Sequence, residues 1–313
     1  MTHLLRLSPR RYQDDADYWR VREFLRQVFV LNGRRELSWH VNRWDYWRWH
    51  GVENIEHFRL EDVVSIWETA DGRIAAVLNP EGAGEAFMHL HPGLAAPALV
   101  EEMLDVAEAH LAAPGRDGQR RLRVWAGEHD ASRQAILAGR GYAPQQDGLE
   151  YQRRLSLEAP IPEAPAPVDY SLRALGEADE LPRRSWVSWQ AFHPDEPDER
   201  YGGYDWYHNI QRAPLYRRDL DLVAVAANGD FAAFCTVWFD DVTRTGVFEP
   251  VGAAPAHHRR GLGRALMCMG LRRLKWLGAT QAHVGSYSPA AHGLYEAVGF
   301  TEYDLSRPWV KAL

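Results

Sequence analysis

The sequence contains only two cysteines, Cys235 and Cys268, and both lie inside apolar stretches. Two cysteines cannot build a disulfide framework or a cysteine-rich zinc site, so we expect no metal, a reducing compartment and a cytoplasmic location. No run approaches the roughly 18 apolar residues that a membrane span requires. Residues 1–11 also lack the apolar core of a signal peptide. The sequence therefore predicts no membrane partner.

Positive charge is also in short supply. The chain has 36 Lys and Arg residues against 43 Asp and Glu, which gives a net charge of −7. Because nucleic acids and anionic membranes favour basic surfaces, this balance argues against both as general partners. What remains is an ordinary globular composition, with 46% hydrophobic and 25% charged residues over 313 positions. That length suggests two domains.

A proline-rich segment divides the chain. Prolines at every second or third position over 158–167 exclude a helix and remove donors from any sheet ladder. We interpret residues 156–168 as a stiff linker. It separates a first domain, residues 1–155, from a second domain, residues 169–313.

Hydrophobic periodicity predicts a similar order of elements in the two halves. In the first half it predicts helices over 16–30, 39–50, 97–111 and 132–138, and strands over 63–67, 73–78, 85–91 and 122–126. In the second half it predicts strands over 222–226, 231–239, 245–253 and 281–285, and helices over 262–277 and 289–298. At a gapless offset of 158 residues, 136–142 lies over 294–300. Chance recurrence is one reading of this match, and two copies of one domain is the reading we adopt.

The segment 245–264 carries the most informative pattern. A strand is predicted to end near Ala253, and Gly261 and Gly263 allow the backbone to approach a ligand where the next helix begins. The unpaired N–H groups and the positive dipole end of a helix start attract an anion. The same segment adds three cationic side chains, Arg259, Arg260 and Arg264. We therefore expect a phosphate group to bind here.

Two common phosphate motifs are excluded, and a third pattern is matched. The Walker A spacing is absent, and the dinucleotide motif fails because Leu266 stands where a third glycine or alanine is needed. The segment instead resembles motif A of the GNAT superfamily of acyl-CoA-dependent N-acyltransferases. That motif has Gln or Arg, two residues, Gly, one residue, and Gly or Ala. Here it reads His258-Arg-Arg-Gly-Leu-Gly263, with His258 in place of the usual first residue.

The end of the chain extends this resemblance. Residues 290–300 resemble the closing motif of the family, and the two copies resemble two-copy members such as mycothiol synthase. The resemblance implies an α/β (α+β) chain of two GNAT-like domains, each a mixed, mainly antiparallel sheet flanked by helices. The second domain would be catalytic, and the first a degenerate copy.

The implied reaction is direct transfer of an acetyl group from acetyl-CoA to a primary amine of a small molecule or peptide, in a ternary complex. The protein would act as a monomer or homodimer. The alternative is an acyl-CoA-binding sensor or scaffold module without turnover. No residue singles out the acceptor.

The resemblance also assigns cofactor contacts. The backbone of Val251, Gly252 and Ala253 would pair with the pantetheine amides of coenzyme A. Ser288 stands near the place where many relatives have an asparagine that touches the cofactor. Pro250 predicts a bulge or sheet edge, because it removes a ladder donor in mid-strand. The pyrophosphate would be held by His258, Arg259, Arg260, Gly261, Leu262, Gly263 and Arg264.

Two side chains are candidates for proton transfer. Tyr295 matches the general acid of the family, and a tyrosine of pKa about 10 can protonate a thiolate whose thiol has a pKa near 8.5. Glu249 shares a strand face with Val251 and Ala253 by period two, which makes it the best candidate base. The alternative for Glu249 is a structural acid paired with an arginine.

The stretch 192–207 is predicted to be a loop or broken helix that lines the acceptor site. Its aromatic residues Tyr204, Trp206 and Tyr207 would shape the pocket. A solvated loop is the alternative. The carboxylates that would attract a cationic amine are Asp195, Glu196, Asp198, Glu199 and Asp205.

The first copy lacks the features of an active one. Residues 91–105 contain one glycine and no arginine, and Leu137 aligns with Tyr295. At the same offset Met103 and Asp105 fall on Gly261 and Gly263. We expect one coenzyme A per chain. The tryptophan-rich segment 39–50 is predicted to form core or interface.

Overall fold

The computed structural model describes residues 7–313. Residues 1–6, which entered the search for a signal peptide, lie outside the described part. In chain order the strands are β1 (Ser8–Arg11), β2 (Ser65–Glu68), β3 (Ile74–Asn79), β4 (Glu85–Leu90), β5 (Ala113–Pro114), β6 (Arg120–Gly127), β7 (Ala143–Pro144), β8 (Glu150–Ser156), β9 (Tyr170–Ala174), β10 (Asp221–Ala226), β11 (Phe231–Asp240), β12 (Thr245–Ala253), β13 (Gln281–Ser286) and β14 (Glu302–Ala312).

The helices are α1 (Asp15–Leu31), α2 (Val41–Tyr46), α3 (Leu60–Val63), α4 (Pro97–His110), α5 (Ala131–Gly139), α6 (Leu181–Phe192), α7 (Asp205–Gln211), α8 (Leu262–Trp276) and α9 (Pro289–Val298). A π-helical segment, Trp47–Glu56, follows α2 directly. None of the helices within residues 7–313 is both long enough and apolar enough to span a bilayer.

The chain forms two units with the same sheet topology. In each, four strands pair antiparallel in succession, one parallel pair follows, and an antiparallel strand closes the sheet. The order is β1-β2-β3-β4-β6-β14 in the first unit and β9-β10-β11-β12-β13-β8 in the second. The parallel pairs are β4 with β6 and β12 with β13. The predicted fold, mixed and mainly antiparallel sheets flanked by helices, is confirmed.

Each sheet is closed by a strand that follows the elements of the other sheet along the chain: β8 closes the second sheet and β14 closes the first. The first unit comprises residues up to Glu150 together with 304–313, and the second is Tyr151–Tyr303. This division differs from the predicted boundaries at 155 and 169, because β8 pairs in the second sheet and most of β14 pairs in the first. Strands far apart in sequence set the boundary, and no local pattern records such pairing.

The proline-rich segment 156–168 lies inside the second unit. Its Ile161 and Ala164 pack against the core of that unit. The carbonyl of Pro162 accepts a hydrogen bond from Arg272, and that of Ala159 accepts one from Lys275. Prolines free the segment from sheet pairing, and its apolar side chains and carbonyls dock it along α8.

Helices cover both faces of the second sheet. Cys235 and Val237 on β11 pack with α8 in the core, and alternation along the strand places Phe234 and Thr236 on the opposite face. That face is covered by α6, whose Arg184 donates to Thr236. Cys235 and Cys268 are buried free thiols.

The tryptophan-rich segment of the first unit is core, as the sequence predicts. Trp39, Trp44 and Trp47 are all buried. The predicted helix is right as far as Tyr46 and then widens into the π-helical segment. Such wide turns are rare and depend on packing around them.

Candidate active site

Strand β12 leaves regular pairing in its second half. Val237 pairs with Phe248 and Cys235 with Val251, so Glu249 and Pro250 together oppose one residue of β11. This is the bulge that Pro250 predicts. On its other side β12 pairs with β13 only from Thr245↔Gln281 to Val247↔His283. The edge of β12 from Phe248 onward has no ladder partner on β13, and this opens a gap between the strands.

The bulge changes the position of Glu249. Phe248 and Val251 both pack against the core although they are three residues apart. The period-two argument that placed Glu249 on the face of Val251 is therefore wrong across the bulge. The carbonyl of Glu249 accepts a hydrogen bond from the buried indole of Trp238. This bond satisfies an acceptor that the bulge removes from regular pairing.

Tyr295 lies on α9 and is 7% exposed. Its hydroxyl forms no hydrogen bond with any residue of the range 7–313. Burial raises the pKa of Tyr295, and the nearby Cys235 and Glu249 raise that pKa further. The structure thus brings the two predicted catalytic residues close enough for the charge of one to act on the other. Tyr295 stays protonated at neutral pH, as a proton donor must.

The glycine turn, residues 258–264, joins β12 to α8. A single 3₁₀ turn, Pro255–His257, comes first, and His258 Nε2 lies 3.0 Å from the Ala253 carbonyl oxygen. Gly261 has φ = +78°, a left-handed conformation that favours glycine, and it caps α8. The first bond across this helix start runs from the Ala265 N–H to the Gly261 carbonyl. The three N–H groups before it, those of residues 262–264, therefore have no partner within the helix.

The arginines of the glycine turn are exposed. Arg259, Arg260 and Arg264 make no hydrogen bond or ion pair with the residues that the structure describes. Three unpaired guanidinium groups beside a helix N-terminus form a site for a strongly charged anion. This arrangement fits the pyrophosphate of an acyl-CoA.

Two glycines near this site are closely packed, and at Gly252 a side chain has no room. A Cβ atom on Gly263 would lie 3.1 Å from Leu294, and one on Gly252 would lie 2.5 Å from the Phe234 ring. Val251 and Ala253 turn their side chains toward the core. Their backbone edge remains on the side of the gap.

Residues 179–300 match the model described as the acetyltransferase (GNAT) family. The second unit is a GNAT acetyltransferase domain. The chain is 28% identical over 257 residues to a mycothiol acetyltransferase of Pseudarthrobacter chlorophenolicus, covering 75% of this chain and 72% of the relative. It is 27% identical over 259 residues to that of Paenarthrobacter aurescens, covering 76% and 73%. These relatives and the family model identify the chain as an acyltransferase.

Solved structures extend the likeness of fold to the first unit. A GCN5-related N-acetyltransferase from Sphaerobacter thermophilus has a TM-score of 0.67 at 16% identity, over 98% of this chain and 95% of the other. A tandem GNAT protein from the clavulanic acid biosynthesis pathway has a TM-score of 0.66 at 16% identity, over 98% of each chain. The tandem arrangement of two GNAT-like folds, inferred from the repeat, is confirmed.

In the GNAT domain Ser288 has a structural task. Its Oγ accepts a hydrogen bond of 3.3 Å from the Ala291 N–H and caps α9. Ser288 therefore helps to set the start of the helix that carries Tyr295. A contact with the cofactor stays a prediction.

Arg153 is a site residue that the sequence did not reveal. It lies on β8, its side chain is only 3% exposed, and its guanidinium makes contacts on both sides of Tyr295 along the chain. Nη2 donates to Glu296 at 2.9 Å and Nη1 donates to the Phe300 carbonyl at 3.0 Å. Nε donates to Ser286 Oγ at 2.9 Å, at the end of β13. Arg153 thus ties α9 to the sheet.

A cleft of about 410 Å³ lies on the α6 side of the GNAT domain. Of the predicted acidic residues Glu196 and Asp198 line it, while Asp195, Glu199 and Asp205 do not. The predicted aromatic residues are also absent from its lining, and Trp186 and Trp189 of α6 take their place.

Tyr207 belongs to a buried cluster instead of the cleft. Its hydroxyl donates to Asp221, which also binds Arg184 at 2.9 Å. The sequence did not show that Tyr207 of α7 is buried, because its partners Arg184 and Asp221 come from α6 and β10. Tyr207 therefore supports the domain from inside.

Proposed function

We propose that this protein transfers an acetyl group from acetyl-CoA to a primary amine by direct attack in a ternary complex. The observation that carries the proposal is the arrangement of a buried Tyr295 on α9, a gap between β12 and β13, and a glycine turn with three exposed arginines that are unpaired within residues 7–313. The acceptor is an amine of a small molecule or peptide. The mycothiol acetyltransferase relatives make a mycothiol-related amine the first acceptor to assay.

The donor would bind along β12 and the glycine turn. The pyrophosphate would accept hydrogen bonds from the N–H groups of residues 262–264 and pair with the three free guanidinium groups. The pantetheine amides would pair with the backbone of Val251 and Ala253, whose edge is open toward β13. This path brings the thioester to the bulge at Glu249.

The reaction needs three proton transfers. Glu249 takes a proton from the ammonium group of the acceptor, and the freed nitrogen lone pair attacks the thioester carbonyl carbon. A C–N bond forms, the C–S bond breaks, and the sulfur leaves with the electron pair. Tyr295 donates its proton to that sulfur, and the attacking nitrogen, positively charged once the C–N bond has formed, gives its surplus proton to the Tyr295 oxygen. Neutral coenzyme A thiol and a neutral amide are released, and Tyr295 is protonated again. Tyr295 suits this role because burial favours its protonated form.

A direct test measures turnover and product together. The protein is incubated with acetyl-CoA and a panel of amines, amino acids, peptides and mycothiol-related amines. Release of free thiol and the mass of the acetylated acceptor are recorded. We expect acceptor-dependent thiol release, with the Tyr295→Phe variant as the matched control. Binding of acetyl-CoA without turnover on any amine would favour a sensor and contradict the proposal.

A further inference from the structure

The cleft beside α6 differs in chemistry from the glycine turn. One wall consists of Trp186 and Trp189, which lie three residues apart and so share a helix face. The Trp189 ring stacks on His193 with centroids 3.9 Å apart, and Trp186 contacts the Tyr201 ring edge-on at 5.0 Å. Both indoles are therefore held in place before any ligand arrives.

Three carboxylates are also part of the cleft lining. Glu196, Asp198 and Asp230 contribute to it, and Asp198 makes no side-chain hydrogen bond or ion pair within residues 7–313. The one arginine in its lining is Arg183, whose guanidinium is paired with Glu180 at 3.0 Å. The Arg183 guanidinium also lies 4.9 Å from the Phe231 ring centroid. The cleft therefore offers π faces and negative charge.

The position of the cleft relates it to the proposed reaction. Its far wall is formed by residues 254–257, which directly follow β12. From Glu249 to Ala254 the chain advances five residues. At about 3.3 Å per residue this is at most about 17 Å. A ligand group in the cleft thus lies one extended small molecule away from the reacting centre.

We propose that the cleft binds an ammonium group of the acceptor that is remote from the nitrogen being acetylated. The inference rests on the proposed function, and it makes the acceptor a linear diamine or polyamine. The attacking nitrogen must be uncharged, so a site that selects a cation holds a second group of the acceptor. The phosphates of the donor are disfavoured here, because three carboxylates would repel them.

The test measures binding in the absence of acetyl-CoA, by quenching of tryptophan fluorescence and by calorimetry. Spermine is the polycationic probe, n-octylamine supplies a single cation, 1,8-octanediol is the neutral chain, and adenosine is a neutral aromatic probe. We expect spermine to bind at one site, and octanediol not to bind. The double variant Asp198→Asn/Asp230→Asn should bind spermine about tenfold more weakly than the wild type. The double variant Asp195→Asn/Glu199→Gln is the matched control. It removes the same two charges outside the cleft and should change the affinity for spermine less than twofold.

A second pair tests the aromatic wall. Trp189→Leu should weaken spermine severalfold, whereas Trp276→Leu, at an indole 85% exposed on α8, should not. Equal weakening by the two acidic pairs, or tighter binding of adenosine than of spermine, would overturn the inference. Because no acyl donor is present, failure of turnover leaves this result standing. If n-octylamine is acetylated with the same KM as spermine, the proposed cation site is wrong, whereas the proposed acetyltransferase activity stands.

Discussion

The two units differ most at the point where their parallel strands part. In the first unit β4 pairs with β6 at Glu85↔Arg123 and Ala86↔Val124. The next residues, Phe87 and Trp125, then stack their rings with centroids 4.4 Å apart at 14°. In the second unit the corresponding pairing ends at Val247↔His283, and a bulge follows. One junction is filled by the protein's own side chains, and the other is open to a ligand.

The helix after the parallel strand differs in the same sense. In the second unit α8 begins at a left-handed glycine flanked by unpaired arginines. In the first unit α4 begins with Pro97 after Ala96, without a side-chain cap, and its acidic residues Glu101 and Asp105 come after the first turn. A proline has no N–H to offer an anion, and the first turn of α4 carries no arginine that could pair with one. The two units therefore share one sheet topology, but within residues 7–313 only the second keeps an open gap and a glycine turn where a ligand could bind. In the first unit packed side chains occupy the corresponding place.

The largest expected effect is the loss of the proton donor in the second unit. Tyr295→Phe should lower kcat by about 10²–10⁴-fold with little change in acetyl-CoA affinity. The same change in the first unit, Tyr142→Phe, removes a buried hydroxyl bonded to Glu108 and should leave kcat unchanged. Steady-state kinetics at saturating substrates, with chemistry shown to limit the rate, checks both. Equal activity of wild type and Tyr295→Phe would remove Tyr295 from this role.

The pH profile sharpens the same point. Because the pKa of Tyr295 is raised above its usual value near 10, the donor stays protonated through neutral and mildly alkaline pH. We expect no loss of kcat up to about pH 9.5 from this group. An alkaline fall near pH 8 that disappears in Tyr295→Phe would contradict a buried, protonated tyrosine.

The next effect concerns the number of cofactors. We expect isothermal titration with acetyl-CoA to give one site per chain, since only the second unit combines an open gap with free arginines. Gly261→Val should weaken that site by about 100-fold or more, because a β-branched residue is strained at φ = +78° and the turn must move. Gly118 of the first unit has φ = +79° and open space around it, so Gly118→Val is a matched control. Two sites, or one that survives Gly261→Val, would show that the active unit is assigned wrongly.

A smaller effect follows from the free arginines. Replacing Arg259→Gln and Arg260→Gln together should weaken acetyl-CoA about 10–50-fold and flatten the salt dependence of its affinity. Arg116→Gln, at an exposed arginine of the first unit, should change neither quantity. Titrations at low and high ionic strength compare the variants. An unchanged salt slope in the double variant would place the pyrophosphate elsewhere.

The sequence predicted correctly those elements whose first and last residues depend on neighbouring residues in the chain. The bounds of β12 and α9 agree with the prediction, because alternation, a bulge-forming proline and a glycine after the helix are all read from neighbouring residues. The glycine turn belongs to the same class. Its exposed arginines need no distant partner.

The gapless repeat failed where the units differ. An offset of 158 residues relates the start of α5 at Ala131 to the start of α9 at Pro289. The starts of α4 at Pro97 and α8 at Leu262 are instead 165 residues apart. Met103 and Asp105 therefore lie within α4 and do not stand at a helix start. The second unit has extra residues in the turn that would bind phosphate. A gapless comparison cannot place such an insertion.

Arg153 gives the last prediction, and it shows why the sequence alone could not complete the site. Its partners Ser286, Glu296 and Phe300 are 133–147 residues away, and the segment that contains it was assigned to the other domain. Since Arg153 holds α9 without touching the reacting atoms, Arg153→Gln should lower kcat about tenfold and leave acetyl-CoA affinity unchanged, with partial rescue by Arg153→Lys. Arg154→Gln is the control, because Arg154 follows Arg153 on β8 and pairs with the exposed Glu302 of β14. A parallel loss of kcat, cofactor affinity and thermal stability in Arg153→Gln would mean that Arg153 supports the whole domain and does not act through Tyr295.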